Sequence, residues 1–75
     1  MKFKIRLENT NDAEEFVKIA SQCGGDVDLH SGVVYIDGKS LLGVIAMGIK
    51  RDLNVSFSEQ DNPILTNALQ KFIVA

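Results

Sequence analysis

The chain opens with Met1-Lys2-Phe3-Lys4-Ile5-Arg6-Leu7, in which apolar and basic side chains alternate strictly. Successive residues of a strand point to opposite faces, so this period-two pattern specifies a strand with one apolar and one cationic face. A half-buried strand needs further strands beside it and a layer over its apolar side. The periodicity then changes. Glu8-Asn9-Thr10-Asn11-Asp12 offers several side chains able to cap a helix, and Ala13, Phe16, Val17, Ala20 and Cys23 recur at helical spacing until Gly24-Gly25. Val27 and Leu29 alternate with Asp26, Asp28 and His30, Ser31-Gly32 offers a tight turn, and Val33-Val34-Tyr35-Ile36 continues to Asp37-Gly38, which predicts a hairpin.

A second, short helix is expected to start at Ser40 as its N-cap and to end near Lys50-Arg51, cations that complement the negative end of the helix dipole. Asn54–Ser58, with Val55 and Phe57 on one side, predicts a fourth strand. Asn62-Pro63 places proline at a first helical position, and Ile64, Leu65, Ala68, Leu69, Phe72 and Ile73 form one apolar stripe. The predicted order is strand, helix, strand, strand, helix, strand, helix. This is an α+β fold with helices on one face of a mainly antiparallel four-stranded sheet.

At 75 residues the chain is expected to form a single domain, residues 1–75. With 45% apolar and 24% charged residues and a net charge of −2, it has a globular composition and lacks the basic excess of a nucleic-acid binder. One cysteine cannot form an internal disulfide, and no basic-then-apolar leader opens the chain, so a reducing cytosol is the expected location. The longest apolar stretch, Leu41 to Ile49, is shorter than the ~20 residues of a transmembrane helix, so no membrane partner is expected. Neither a cofactor nor a metal is expected.

The run Asp37–Asp52, DGKSLLGVIAMGIKRD, does not fit a plain core role. Each interior glycine costs a helix about 1 kcal/mol relative to alanine, and this short helix carries Gly43 and Gly48. On pattern alone two readings stand. Gly43, Ala46 and Gly48 permit close backbone approach within a buried helix, or Leu42, Ile45 and Met47 present an apolar patch to a partner.

The segment from Lys39 to Ile49 resembles the regulatory-serine helix of HPr, the histidine-containing phosphocarrier of the bacterial phosphoenolpyruvate-dependent sugar phosphotransferase system. The resemblance extends back through Ala20-Ser21, Asp26–Leu29 and Gly38, and forward through Val55–Ser58 to Asn67-Ala68-Leu69. It implies the HPr-like open-faced β-sandwich, with element order βαββαβα. It also implies that Ser40 is a candidate regulatory phosphorylation site. Leu41, Leu42, Ile45 and Met47, with Phe16 of the first helix, would be the partner-binding residues.

The departure lies at the family's catalytic motif, Gly-Ile/Leu-His-Ala/Thr-Arg-Pro-Ala. Laid on this chain without gaps, it places Leu7 at the glycine, Asn9 at the phosphorylated histidine, Asn11 at the arginine, Asp12 at the proline and Ala13 at the alanine. An asparagine amide nitrogen, its lone pair delocalised into the carbonyl, cannot attack phosphorus, and Asp12 and Glu14 would repel a dianionic donor. No catalytic residue is therefore expected, and the chain reads as a non-enzymatic regulatory module. Its expected partner is a protein: a phosphotransferase-system enzyme, a serine kinase or a transcription regulator. Two alternatives stay open, a phosphoryl acceptor using another residue and a dimerising structural domain with no phosphotransferase role.

The other reactive residues have plainer readings. His30 falls on the polar phase of its strand with no ligand set or anion site around it. Cys23 suits a core filler at the end of the first helix. Thr10 suits a cap. Asn54-Val55-Ser56 matches a glycosylation sequon, taken as chance in a chain with no secretory leader.

Overall fold

In a computed structural model, the backbone is described for residues 2–57 and 63–74 and side chains for residues 4–56 and 66–74. The elements are strand β1 (Lys2–Arg6), helix α1 (Thr10–Ala20), strands β2 (Val27–Ser31) and β3 (Val34–Asp37), helix α2 (Leu41–Met47), strand β4 (Asp52–Phe57) and helix α3 (Pro63–Leu69). A 3-10 turn, Gln70–Phe72, follows α3. The expected order is observed. Ser58, Asn62 and the side chains of Phe57, Ile64 and Leu65, also part of the expectation, lie outside the described residues.

The strands form one antiparallel sheet in the order β1-β4-β2-β3. Ile5 and Leu7, Val27 and Leu29, Ile36, and Leu53 and Val55 are buried on the helix-covered face. The residues between them, including Lys4, Arg6, Asp28, His30, Tyr35, Asn54 and Ser56, therefore line the open face. Phe16, Ala13 and Ala20 of α1, Val44 of α2, Leu69 and Phe72 complete the core. Phe16 meets Phe72 edge-on, with ring centroids 6.5 Å apart and planes at 68°, the geometry favoured by the ring quadrupoles. An ion pair between Glu15 and Lys71 ties α1 to the C-terminal turn. Cys23 is buried, as expected of a core filler.

The outer edge of β1 is covered by the chain's own end. Ile73 bridges Ile5, and the Val74 N–H donates to the Lys4 carbonyl at 2.9 Å. β3 forms the opposite edge of the sheet.

Two boundaries differ from those expected. The hairpin turn is Gly32-Val33, one residue later than Ser31-Gly32, because Ser31 already pairs with Val34. Gly32 has φ +60°, so glycine occupies the first central position of a two-residue turn, where a side chain is strained. Helix α2 stops at Met47, with no basic residue in its last turn. The Gly48 N–H donates to the Val44 carbonyl at 2.8 Å, and a Cβ on Gly48 would lie 2.7 Å from that oxygen. Lys50 and Arg51 thus lie beyond the helix. Lys50 takes φ 61° while its N–H donates to the Leu7 carbonyl at 2.7 Å.

Candidate functional site

Asn9 is the N-cap of α1. Its extended backbone lets Oδ1 accept the Asp12 N–H at 2.9 Å while its carbonyl accepts the Ala13 N–H at 3.1 Å. Asp12 completes the cap in the other direction, its Oδ2 accepting the Glu8 N–H at 3.0 Å. Two backbone donors at the entrance to the helix are thereby engaged by the chain's own side chains. The carboxylate of Asp12 also places negative charge at the positive end of the α1 dipole.

Arg6, the cation closest to Asn9 in sequence, is committed as well. Arg6 Nε donates to Glu8 Oε2 at 2.8 Å and Nη1 to Asp52 Oδ1 at 3.1 Å. Hydrogen bonding to Asp52, and next to Glu8, raises the guanidinium pKa above its ordinary value. Asn11, at the position the resemblance gives to an arginine, is exposed and carries no charge.

Helix α2 lies against α1 and β3. A parallel bridge between Leu7 and Ile49 holds the end of α2 beside the start of α1. At the other end, Lys39 Nζ donates to the Cys23 carbonyl at 2.8 Å, joining the start of α2 to the end of α1. The two helices run in opposite senses, so Asn9 lies toward the Met47 end and Ser40 toward the far end. Ser40 caps α2, its Oγ accepting the Gly43 N–H at 3.2 Å. Gly38, just before it, approaches β2 so closely that a Cβ would lie 2.7 Å from the Val27 carbonyl oxygen. That contact fixes the direction in which the chain enters α2.

The apolar candidates divide by burial. Leu42 is 80% exposed, Met47 44% and Leu41 38%. Ile45 is half-buried against the core. Phe16 is corrected from a docking residue to a core residue: it is fully buried because its place in the apolar stripe of α1 turns it inward onto Phe72. Val44 is buried in the core, while Leu41, Leu42 and Met47 face outward.

His30 is half-buried on the open sheet face, on the opposite side of the sheet from the helices. It stacks on Tyr35 at 5.3 Å between centroids, and its Nε2 lies 3.4 Å from Ser56 Oγ. Sequence reasoning assigned it no role, and its Tyr35 and Ser56 contacts come from cross-strand pairing that chain spacing does not reveal. Among the described residues there is no cluster of three or more His, Cys, Asp or Glu arranged to hold a metal ion, and no helix long and apolar enough to cross a membrane.

A family model described as the PTS HPr component phosphorylation site matches residues 8–74. No curated protein matches the chain. Solved structures do. The histidine-containing phosphocarrier protein of a Mycoplasma superposes with a TM-score of 0.74 at 19% identity, over 95% of this chain and 89% of that one. HPr-C-His of Thermoanaerobacter tengcongensis gives 0.71 at 19% identity, over 92% and 83%. The phosphocarrier protein HPr of Bacillus anthracis strain Ames gives 0.70 at 16% identity, over 99% and 96%. At these identities the superpositions establish a shared fold, and together with the family match over residues 8–74 they place the chain in the HPr family of the phosphotransferase system.

Proposed function

We propose that this HPr-family chain is a regulatory protein-binding module that does not carry phosphate through the family's histidine position. The observation that carries the reading is Asn9 at the N-cap of α1, with its amide oxygen held by the Asp12 N–H at 2.9 Å. Replacing an imidazole by an amide removes the nucleophilic lone pair. The surroundings act in the same direction. Asp12 brings a carboxylate to the helix entrance, Arg6 is engaged by Glu8 and Asp52, and Asn11 supplies no cation. An incoming phosphoryl dianion would meet negative charge where transfer needs positive charge.

What remains is a docking surface. Leu41, Leu42 and Met47 are the large exposed side chains of α2, and Ile45 is half-buried against the core. Ser40 at the start of the helix is the regulatory phosphorylation candidate. A phosphoryl group there would add about −1.5 to −2 charges beside an uncharged surface and favour an arginine-bearing partner. The partner classes are a phosphotransferase-system enzyme, a serine kinase or a transcription regulator.

The test is incubation with phosphoenolpyruvate and the general enzyme of the phosphotransferase system, followed by measurement of acid-labile phosphate. The proposal requires no uptake. Stoichiometric labelling would refute it, and labelling traced to His30 would establish the alternative of a displaced acceptor.

A further inference from the structure

The two edges of the sheet differ. The β1 edge is covered by Ile73 and Val74 of the same chain, whereas among the described residues no strand pairs with the outer side of β3. In a hairpin with a two-residue turn the flanking residues, here Ser31 and Val34, bond to each other, and inward and outward residues alternate from there. The Gly38 N–H donates to the Val27 carbonyl at 2.7 Å, in step with Val34 and Ile36. Tyr35 and Asp37 therefore turn their main-chain groups away from β2. The Asp37 carbonyl accepts the Ser40 N–H at 3.0 Å, which leaves the Tyr35 N–H, the Tyr35 carbonyl and the Asp37 N–H directed outward. Residues 33–36, Val-Val-Tyr-Ile, are all β-branched or aromatic, and none is a charge or proline of the kind that guards an edge strand.

We propose that the β3 edge pairs with the β3 edge of a second copy of this chain, antiparallel about a two-fold axis at Tyr35. The edge is its own complement. That axis sets each Tyr35 N–H against the other copy's Tyr35 carbonyl, closing two hydrogen bonds, and brings each Asp37 N–H to the other copy's Val33. Val34 falls opposite Ile36 on the helix-covered face and Asp37 opposite Val33, so no like charges meet. Tyr35, 72% exposed and stacked on His30 from within its own sheet, falls opposite Tyr35, and the stack of rings continues across the junction. An axis at Ile36 would instead draw on the Asp37 carbonyl, which the Ser40 N–H already occupies.

The number of copies follows from the edges. Each copy offers β3 alone, because its own end covers β1, and a two-fold contact uses both β3 edges, so assembly closes at two with one continuous eight-stranded sheet. The pairing runs over residues 33–37 of each copy and ends where one chain enters its hairpin turn and the other turns toward α2. Strand addition takes its affinity from main-chain hydrogen bonds and its register from the side chains set opposite one another. The dimer is accordingly one of high protein concentration, and it persists in salt.

Sedimentation velocity of the full chain from micromolar to millimolar concentration, at low and at high salt, tests this together with amide hydrogen exchange followed by NMR. A dimer should form at the upper end in both salts, and the Tyr35 N–H should gain protection as concentration rises. Tyr35→Lys, which sets two cations directly opposite each other, should weaken association about tenfold or more with the far-UV spectrum unchanged. Tyr35→Pro removes the outward N–H without touching the β2 pairing and should abolish the dimer; if it fails to fold, Tyr35→Lys and the exchange data still decide. A monomer throughout would overturn the proposal, as would a dimer whose Tyr35 N–H exchanges at the monomer's rate or that survives Tyr35→Lys. Species larger than two copies would overturn the closure at one edge.

Discussion

Replacing Phe16 by alanine separates the core from the docking surface more sharply than any other single change. Phe16 is fully buried and meets Phe72 edge to face. Its truncation removes a large side chain from the layer between α1 and the C-terminal turn and leaves a cavity that Ala13 and Ala20, its small neighbours along α1, cannot fill. Changes of this kind cost about 3–5 kcal/mol. A chain of this length has a total stability of roughly 4–11 kcal/mol. With a urea dependence of about 1 kcal/mol/M, the midpoint should fall by about 3 M or the native state should be lost altogether. Equilibrium urea unfolding followed by far-UV circular dichroism gives the value, with Leu42→Ala as the control. Leu42 is 80% exposed, so its truncation should stay within about 0.5 kcal/mol. A Phe16→Ala loss below about 1 kcal/mol would refute the packing argument and return Phe16 to the list of surface candidates.

The remaining expectations concern α2 and the turns that deliver it. Ser40→Ala should cost about 1 kcal/mol in urea unfolding, and Ser40→Asp much less, because aspartate caps a helix as well as serine does. Exposure to an HPr serine kinase followed by mass-spectrometric mapping should find phosphate on Ser40; an unmodified Ser40 under conditions that fully modify an HPr would reduce it to a helix cap. Met47→Asp should change stability by no more than about 1 kcal/mol, since Met47 is 44% exposed, yet abolish capture by the docking partner. A larger stability loss would place Met47 in the core. Gly38→Ala forces a Cβ to 2.7 Å from the Val27 carbonyl oxygen and should cost about 1–3 kcal/mol by thermal unfolding.

Much of the fold was legible because alternation and helical spacing are local properties. The alternation of β1 assigned Ile5 and Leu7 to the core and Lys4 and Arg6 to the open face, and the structure keeps that division. The cluster from Glu8 to Asp12 announced a helix cap, and Asn9 and Asp12 provide it. The spacing of Phe16 with Ala13 and Ala20 already marked it as inward-facing; its assignment to a docking surface came from the resemblance and conflicted with that periodicity. The residues misread or unread are those whose partners are distant in sequence. Lys50 suited the end of α2 by charge, but its backbone is drawn to the Leu7 carbonyl, and the helix ends earlier at Gly48. Arg6 reaches Asp52 across the β1–β4 pairing, and Lys39 reaches back to the carbonyl of Cys23. Such contacts follow from strand order and helix packing, which no local pattern encodes.

The central claim is that the acceptor chemistry of the HPr family is absent at Asn9, and phosphoryl transfer measured on a short series of variants tests it directly. With phosphoenolpyruvate and the general phosphotransferase enzyme, the wild-type chain should take up no acid-labile phosphate. Asn9→His alone should take up little, because Arg6 remains bound by Glu8 and Asp52 and the Asp12 carboxylate stays at the helix entrance. Asn9→His combined with Asn11→Arg should label measurably, since the added guanidinium supplies the cation that a bound phosphoryl group needs. Stoichiometric, acid-labile phosphate on the wild-type chain would contradict the account.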